Sequence, residues 1–290
     1  MMKIGIPLSK TAYTPEAYAY EQYLSSKGWQ VQLDYELDPD NDVNIYFMGM
    51  RPFWKKYKGK AIEIHEYQSL STPPYPHVKN YLKKVINKKP SGRIFLNEIV
   101  AQQFGFNDDI PYIYRDMGVD QAFFQKPRIN PEFDIVYSGS IAGRIGLVEN
   151  LIQLSKQYKI IVIGHVDDEL KVLLHKHHIT LTGRVQRHEL PELYANARYG
   201  LNYTPDLYPF NVQTSTKTLE YLVSGLSIIS NRYKWAEDFF KSIDYQPIWL
   251  YEDEICLDKL NQNSYNLVNF SWCSILDKSN LNYFLNSLLR

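Results

Sequence analysis

A lysine and a glutamate lie three residues apart at the start of a helix-like segment, within "TSTKTLEYLVSGLSIIS" (214–230). The positive end of the helix macrodipole disfavours Lys217 at this place unless an anion lies close by. One turn later, the carboxylate of Glu220 can accept hydrogen bonds from the two hydroxyls of a ribose. The spacing therefore suggests an anion beside Lys217 and a sugar diol beside Glu220. The alternative is that both side chains lie on a solvated helix face.

A second stretch, "SGSIAGRIGL" (138–147), has the composition of a phosphate-binding turn. Glycines and a serine follow a predicted strand and precede a predicted helix, where backbone N–H groups and the helix start favour an anion. Arg144 adds a guanidinium fork that fits phosphate oxygens. The stretch matches neither the Walker pattern nor G-x-G-x-x-G, and the first strand-to-helix turn lacks the latter too, which argues against a nicotinamide dehydrogenase. An ordinary turn with a solvated arginine is the alternative.

Other polar clusters lack the spacing of a metal site. The group "HKHH" (175–178) comes at a predicted helix end without Cys or carboxylate partners at ligand spacing. The "DPDND" stretch (38–42) contains D-x-D, but it precedes a strand and lacks the glycine and glutamate of a calcium loop, which favours a turn. Cys256 and Cys273 are far apart, so we expect neither a disulfide nor a zinc framework. We expect no metal and no cofactor.

The elements around these residues alternate between strands and helices, the pattern of α/β domains with parallel sheets. Strands are predicted at 3–7, 29–34, 44–49, 61–65, 93–97, 134–139, 159–164, 179–183, 199–204, 227–230 and 247–251. Helices are predicted at 15–26, 77–89, 98–104, 146–157, 167–177, 188–197, 216–224 and 233–241. The Pro- and Gly-containing stretch 116–134 is typical of a linker. The alternation predicts two Rossmann-like domains facing a cleft.

Ligands of such sheets bind at the carboxyl ends of the strands. This rule places three segments in one neighbourhood: the loop after strand 134–139, the loop after strand 179–183 and the start of helix 216–224. The two chemistry-bearing stretches are therefore expected to meet.

The whole chain excludes several classes of protein. Its 290 residues fit two domains, and a formal net charge of zero offers no nucleic-acid signature. No apolar run approaches the roughly 18 residues of a transmembrane helix. The N-terminal "MMKIGIPLSK" has no long apolar signal core and reads as a first strand. With only two cysteines, a reducing cytoplasmic setting fits best.

The stretch that opens with Lys217 resembles the signature segment of the GT-B glycosyltransferases, particularly the retaining family 4 group. The resemblance extends in order along about residues 60–285. It is carried by "RDMGVDQAFF", "YSGSIAGRIGLVENLIQL", "KIIVIGHVDDEL", "ITLTGRVQRHELPELYANARYGLNYTP", "TKTLEYLVSGLSIIS" and "FSWCSIL".

This resemblance implies the GT-B architecture, with an acceptor-binding domain at 1–130, a nucleotide-sugar domain at 131–271 and a C-terminal helix at about 272–290 that packs back on the first domain. It also implies roles. Arg144 and Lys217 would bind the diphosphate and neutralise the leaving group, while Glu220 would hold the ribose hydroxyls. His65, at the end of a strand, would contact the donor sugar or the acceptor from across the cleft. The other implied donor contacts are Gly139 and Ser140 in the phosphate turn, Arg184 and Val185 beside the base, and Thr216.

The sequence departs from the family pattern at three places. The family commonly has a second glutamate eight positions before the first, and here that position is Val212. An apolar side chain cannot accept hydrogen bonds from a sugar, so we expect donor recognition to use Asn211, Gln213 or Thr214. The usual arginine after the phosphate-turn glycine is Ser140, and the glycine-rich acceptor loop is reduced to "PLSKTAY".

Basic residues are concentrated between residues 51 and 93. This region has eleven lysines and arginines against Glu63 and Glu66, and "RPFWKKYKGK" interleaves aromatic residues with lysines. In "PHVKNYLKKVINKK" an apolar stripe lies beside a lysine face. Such a surface suits docking on an anionic membrane; the alternative is a helix packed through its stripe with its lysines in water.

The resemblance, together with these residues, implies a retaining, metal-independent glycosyltransferase that uses a nucleotide-diphosphate sugar, with UDP as the nucleotide. Its acceptor would be a lipid-linked sugar or a surface polysaccharide, as in capsule or lipopolysaccharide synthesis. The protein would be cytoplasmic and peripheral on the inner face of the membrane. Two alternatives remain open: a GT-B nucleotide-sugar epimerase or hydrolase, and a non-catalytic protein that binds nucleotide or membrane.

Overall fold

The structure is a computed structural model of the chain. It describes residues 1–9, 14–47, 50–56, 58–253 and 267–290. Cys256, the end of the expected strand 44–49 and most of the "PLSKTAY" loop lie outside the described residues. The chain divides into two compact units, and we describe each by itself: unit 1 is Met1–Gly118 with Ser271–Arg290, and unit 2 is Val119–Phe270.

Twelve strands are described. They are β1 Lys3–Pro7, β2 Gln30–Asp34, β3 Val43–Phe47, β4 Ile62–Tyr67, β5 Gly92–Phe95, β6 Tyr112–Tyr114, β7 Phe133–Ser138, β8 Ile160–Ile163, β9 Thr180–Gly183, β10 Ala197–Asn202, β11 Ser227–Ser230 and β12 Ile248–Trp249.

Ten α-helices are described. They are α1 Pro15–Ser26, α2 Pro76–Ile86, α3 Glu98–Phe104, α4 Leu147–Ser155, α5 Asp168–Lys176, α6 Leu190–Ala195, α7 Thr216–Val223, α8 Lys234–Ser242, α9 Trp272–Lys278 and α10 Leu281–Leu288. Short 3₁₀ turns lie at Gln121–Phe123, Arg187–Glu189, Phe210–Val212 and Leu267–Phe270.

Unit 1 is built on a six-stranded parallel sheet in the order β2-β1-β3-β4-β5-β6. Its central strands β1, β3 and β4 are largely buried, as expected for a sheet covered on both faces. The C-terminal helices belong to this core: Trp272, Leu276 and Leu285 are buried in one cluster with Ile4 and Ile64. Full burial of each such side chain contributes about 1.5–3 kcal/mol.

Unit 2 has the second six-stranded parallel sheet, in the order β12-β11-β10-β7-β8-β9. The chain reverses its direction of strand addition between β7 and β10, which is the topological switch point where doubly wound sheets bind ligands. Ile135, Ile160 and Leu201 are fully buried on these central strands. Two parallel sheets flanked by helices confirm the α/β class and the Rossmann-like character of both halves.

The division between the units lies after Gly118, twelve residues before the end of the domain expected at 1–130. The residues after Gly118 pack on unit 2. The Phe123 ring packs at a tilt against Tyr194 with a ring-centroid distance of 5.7 Å, and Ser224 Oγ donates a hydrogen bond to the Phe123 carbonyl. The breaker-rich stretch at 116–134, expected as a linker, is therefore largely a packed part of unit 2.

Candidate functional site

The phosphate turn begins where β7 ends. Gly139 has a φ of 121°, a backbone conformation that favours glycine. Its N–H donates to the Ile163 carbonyl at the end of β8, and a Cβ on Gly164 would lie 2.5 Å from the Gly139 carbonyl oxygen. The turns after β7 and β8 both have a glycine at their point of contact. Because neither glycine has a side chain, the loop that carries Arg144 can lie directly over the ends of the two strands.

The start of α7 is held against the same strands by tight packing. A Cβ on Gly200, in β10, would lie 2.3 Å from the ring of Tyr221, so the helix approaches the sheet at the closest distance that a glycine allows. The Tyr221 hydroxyl accepts a hydrogen bond from the Ser138 N–H over 2.8 Å. This bond ties α7 to the last residue of β7 and fixes the position of Lys217 and Glu220.

The phosphate turn and the start of α7 line one hollow of about 400 Å³. We call it the cationic hollow. Its lining residues are Ser138, Gly139, Arg144, Arg187, Thr204, Phe210, Gln213, Thr214, Ser215, Thr216, Lys217 and Glu220. The structure therefore brings together the two stretches that the sequence singled out, and both belong to unit 2.

Two cations converge in this hollow. Arg144 Nη1 and Lys217 Nζ both donate to the backbone carbonyl of Tyr203, over 3.2 and 3.3 Å. Lys217 Nζ also lies 4.4 Å from the centroid of the Tyr137 ring. Burial and the neighbouring Arg144 charge hold the pKa of Lys217 well below its usual value. Among the residues that the structure describes, no carboxylate forms an ion pair with either cation, so their charges are available to an anionic ligand.

Glu220 lies deeper in the hollow and is only 4% exposed. Its Oε1 is 2.8 Å from Nη2 of Arg187, and its Oε2 accepts a hydrogen bond from the Tyr194 hydroxyl over 3.3 Å. Arg187 is the one described partner of Oε1, and a carboxylate oxygen has two lone pairs, so Oε1 keeps the capacity to accept a hydrogen bond from a ligand. Burial raises the pKa of Glu220, while Arg187 opposes that shift.

The polar residues expected to replace the missing second glutamate separate into two groups. Gln213, Thr214 and Thr216 line the cationic hollow. Asn211 is not among its lining residues, and its Nδ2 donates to Asp206 Oδ1 over 2.8 Å. Val212 is the last residue of the 3₁₀ turn that directly precedes Gln213. Gln213 and Thr214 are therefore better placed than Asn211 to meet a ligand in the hollow.

Three further expected donor contacts, besides Asn211, lie outside the lining of the cationic hollow. Ser140 lines a neighbouring hollow of about 350 Å³, together with the rest of the phosphate turn. Arg184 and Val185 follow β9, and the Arg184 side chain is exposed. The role of these two residues beside a base stays a prediction.

His65 belongs to unit 1 and has no exposed surface. It was expected at the end of a strand, but β4 continues to Tyr67, and His65 is the fourth of its six residues. Its Nε2 lies 3.7 Å from Glu63 Oε2. Burial lowers the pKa of His65, which favours a neutral imidazole. Direct contact with a sugar would require this side chain to become accessible, and its catalytic role stays a prediction.

The sequence did not single out Arg187 and Tyr194, although both lie within the quoted stretch after β9. That stretch begins with two arginines, Arg184 and Arg187, and nothing in their spacing shows which of them reaches Glu220. The 3₁₀ turn Arg187–Glu189 directs the Arg187 side chain towards Glu220. A single turn of this kind leaves no periodic signal in a sequence.

Within the described ranges, no three His, Cys, Asp or Glu side chains are grouped in a way that could hold a metal ion. None of the described helices combines the length and the apolar character that crossing a bilayer requires.

Comparison with known proteins gives results for structure only. No protein-family model matches the sequence. No curated protein matches it either. Many solved structures match, however, and several do so over the whole chain.

The similar structures include AviGT4, a glycosyltransferase involved in avilamycin A biosynthesis, at 14% identity, with 100% of this chain and 98% of that chain covered and a TM-score of 0.65. WaaG, a glycosyltransferase involved in lipopolysaccharide biosynthesis, is 12% identical, with 100% and 94% covered and a TM-score of 0.57. Anabaena HepE in complex with UDP-glucose is 9% identical, with 100% and 97% covered and a TM-score of 0.56. At these identities the likeness shows the fold that the chain shares with them.

Proposed function

We propose that this chain, which has the GT-B fold, is a glycosyltransferase that takes a sugar from a nucleotide-diphosphate donor. One observation carries the proposal: Arg144 and Lys217 converge in one hollow without a carboxylate partner among the described residues. Beside them lies a buried carboxylate with an unfilled acceptor position. This arrangement complements a diphosphate joined to a ribose, because two cations match two phosphates and Glu220 matches the sugar diol.

We propose UDP as the nucleotide. The structural neighbour HepE is described in complex with UDP-glucose, and its whole-chain likeness is the support for choosing a UDP-sugar first. The cationic hollow would hold the diphosphate between Arg144 and Lys217, and Gln213 and Thr214 would face the transferred sugar in place of the missing second glutamate.

We propose a retaining mechanism in which the leaving diphosphate acts as the base. Arg144 and Lys217 stabilise the negative charge that develops as the bond between the sugar and the diphosphate breaks. A diphosphate oxygen accepts the proton of the acceptor hydroxyl, which attacks the same face of the sugar. Glu220 is the sole carboxylate among the described lining residues, and it is engaged with Arg187. The hollow therefore offers no second carboxylate as a nucleophile, and the proposed reaction uses no metal.

We propose further that the acceptor is lipid-linked and that the protein docks on an anionic membrane at its inner face, as in capsule or lipopolysaccharide synthesis. The support lies in α2, whose apolar stripe faces outward. Val78, Tyr81, Leu82 and Val85 are 43–64% exposed. The one buried side chain of the helix is the polar Asn80, which accepts a hydrogen bond from the Ser71 N–H.

The exposed stripe of α2 continues into the loop that precedes β4. Phe53 and Trp54 are 64% and 60% exposed, and Phe53 shares a hollow with Val85 of α2. Lysines flank these side chains on both segments, including Lys55, Lys56, Lys79, Lys83, Lys84, Lys88 and Lys89. An apolar surface rimmed by positive charge fits a bilayer with anionic headgroups. It does not fit the alternative of a helix packed through its stripe.

The proposed function is tested by transfer of label. Purified protein is incubated with radiolabelled UDP-glucose, UDP-galactose or UDP-N-acetylglucosamine and bacterial membrane lipids. We expect label in the lipid fraction from one donor, released UDP in equal amount, and an anomeric configuration equal to that of the donor.

The same assay distinguishes the two alternative functions of the protein. Labelled free sugar or a changed sugar without acceptor would show a hydrolase or an epimerase. Nucleotide binding without turnover of any donor would show a non-catalytic protein, a reading that the apolar Val212 specifically favours, since a sugar-binding carboxylate is missing there.

A further inference from the structure

Arg187 joins the cationic hollow to the segment that begins unit 2. Its Nε donates to Asp120 Oδ2 over 2.7 Å, and its Nη2 lies 2.8 Å from Glu220 Oε1. Its guanidinium carbon is 4.9 Å from the centroid of the Phe123 ring. One arginine thus bridges two carboxylates and rests on an aromatic ring, so its position is fixed on three sides.

Glu220 depends on such a cation. A carboxylate that is 4% exposed loses most of its hydration, which favours its protonated form. The other groups that act on Glu220 are Asp120, Tyr194 and Tyr221. Asp120 is itself negative and cannot stabilise a second negative charge. Burial raises the pKa of both tyrosines, so they stay neutral. Arg187 therefore supplies the positive charge that keeps Glu220 ionised.

The geometry also leaves Glu220 able to accept a hydrogen bond from a ligand. Its Oε1 faces Arg187 at ion-pair distance, and no other described residue donates a hydrogen bond to it. A buried acceptor left open in this way costs free energy unless a ligand or water fills it. A carboxylate oxygen has two lone pairs, so Oε1 can accept a hydrogen bond from a ligand while it stays paired with Arg187.

We propose that Arg187 is a positioning residue for ribose recognition: it holds Glu220 as an anion, turned so that the carboxylate can accept a hydrogen bond from a ribose hydroxyl. Asp120 contributes to this role, because it accepts a hydrogen bond from Nε of Arg187 and so holds the guanidinium on the side away from Glu220. This inference rests on the proposed function, since it concerns the nucleotide that the hollow takes.

The first arm of the test needs no nucleotide. Protein labelled with ¹³C at glutamate carboxyls is titrated by NMR, and the Glu220 signal is assigned by its absence in Glu220→Gln. In the wild type we expect Glu220 to be ionised at neutral pH. In Arg187→Gln we expect its titration to move to higher pH, with partial rescue in Arg187→Lys.

The second arm measures ribose recognition. The affinities for UDP and 2′-deoxy-UDP are compared by calorimetry at a series of pH values from weakly acidic to weakly alkaline, because loss of Arg187 should raise the pKa of Glu220 further. We expect wild type to prefer UDP about tenfold, the equivalent of one good hydrogen bond, at every pH. In Arg187→Gln this preference should fall towards the acidic end and return as pH rises.

Arg232→Gln is the matched control, because Arg232 also bridges two carboxylates of unit 2, Glu252 and Glu237, but on the surface. The Arg232→Gln variant should change neither the Glu220 titration nor the preference for UDP over 2′-deoxy-UDP. An unchanged Glu220 titration and an unchanged UDP preference in Arg187→Gln would overturn the positioning role alone. If the wild type binds no UDP while the Glu220 titration still shifts, the proposed function fails and the electrostatic hold of Arg187 on Glu220 stands without a role in ribose recognition.

Discussion

Arg144 and Lys217 donate hydrogen bonds to the same backbone oxygen, the carbonyl of Tyr203, over 3.2 and 3.3 Å. Two positive charges that meet at one acceptor repel each other. No carboxylate among the described residues offsets them by an ion pair, and half-buried groups are poorly screened by water. A folded protein that keeps such a pair gives up stability at this place, and an anionic ligand recovers it.

The first prediction is that Lys217→Met stabilises the ligand-free protein. Methionine fills a similar volume next to Tyr137 without carrying a charge beside Arg144, and the pKa of Lys217 is already lowered by burial and by that charge. We expect the free energy of unfolding to rise by about 1 kcal/mol, or a Tm increase of about 2 °C. Lys241→Met, on an exposed position of α8, should leave the Tm unchanged. A lower Tm in Lys217→Met would show that this lysine is held for structural reasons.

The second prediction concerns proton uptake on binding. Because the pKa of Lys217 is lowered in the free protein, the amine loses its proton at a lower pH than an ordinary lysine does. A bound diphosphate favours the protonated form and raises that pKa. Binding therefore takes up a proton between the two values, and the affinity for UDP falls as pH rises through this window.

Calorimetry in two buffers of different ionisation enthalpy measures this uptake. At about pH 8.5 the phosphates of UDP are already ionised, so the proton goes to the protein. We expect net uptake in the wild type and none in Lys217→Met. Equal uptake in both proteins would assign the proton to another group.

The third prediction separates recognition of the sugar from recognition of the nucleotide. Gln213 lines the cationic hollow, whereas Asn211 donates to Asp206 and does not. We expect Gln213→Ala to weaken binding of the UDP-sugar about three- to tenfold, the value of one hydrogen bond, with little change for UDP. Asn211→Ala is the matched control and should bind both ligands as the wild type does. A larger loss in Asn211→Ala would mean that the loop rearranges around the donor.

The fourth prediction concerns the outward stripe of α2. Val78 and Leu82 are 56% and 43% exposed, so Val78→Ser combined with Leu82→Ser should leave the Tm close to that of the wild type. Binding to vesicles that contain phosphatidylglycerol should weaken at least about tenfold, because each apolar side chain contributes more than 1 kcal/mol when it enters a bilayer. Val172→Ser changes a valine of α5 that is still more exposed, at 73%, and should have no effect. Co-sedimentation with vesicles measures all three proteins.

Vesicles without anionic lipid provide the second arm of that experiment. If the lysines beside α2 act through charge, binding should fall when phosphatidylglycerol is replaced by phosphatidylcholine, and fall further in salt. Binding that ignores both changes would contradict an electrostatic contribution. Absence of binding under all conditions would overturn membrane docking and leave the donor site unaffected.

The sequence predicted the repeating elements of this fold well, and the reason is periodicity. Strands β7, β8, β10 and β11 carry apolar residues that are buried in the sheet, and α7 begins at Thr216, where the helix was expected. The one strand that was missed, β6, has three residues, Tyr112–Tyr114, and lies at the sheet edge. A strand of that length and exposure has too little pattern to be recognised.

The site was predictable to the extent that it depends on residue type at an element's end. Arg144, Lys217 and Glu220 were expected together because parallel sheets gather the ends of their strands, and the structure places all three in one hollow. Arg187 was not expected because its direction depends on a single 3₁₀ turn. The outward orientation of the α2 stripe was also open, since a helix of this pattern can face either way, and Asn80 settles it by hydrogen bonding inward to Ser71.

The most direct measurement is the calorimetric affinity for UDP of the wild type and of the double variant Arg144→Met, Lys217→Met. Hydrogen bonds to charged groups contribute about 1.5–3 kcal/mol each, so we predict a loss of at least about 100-fold. The matched double variant Arg232→Met, Lys241→Met removes the same two residue types from the surface of unit 2 and should bind as the wild type does. If the Arg144 and Lys217 variant binds UDP as tightly as the wild type, the cationic hollow is not a diphosphate site.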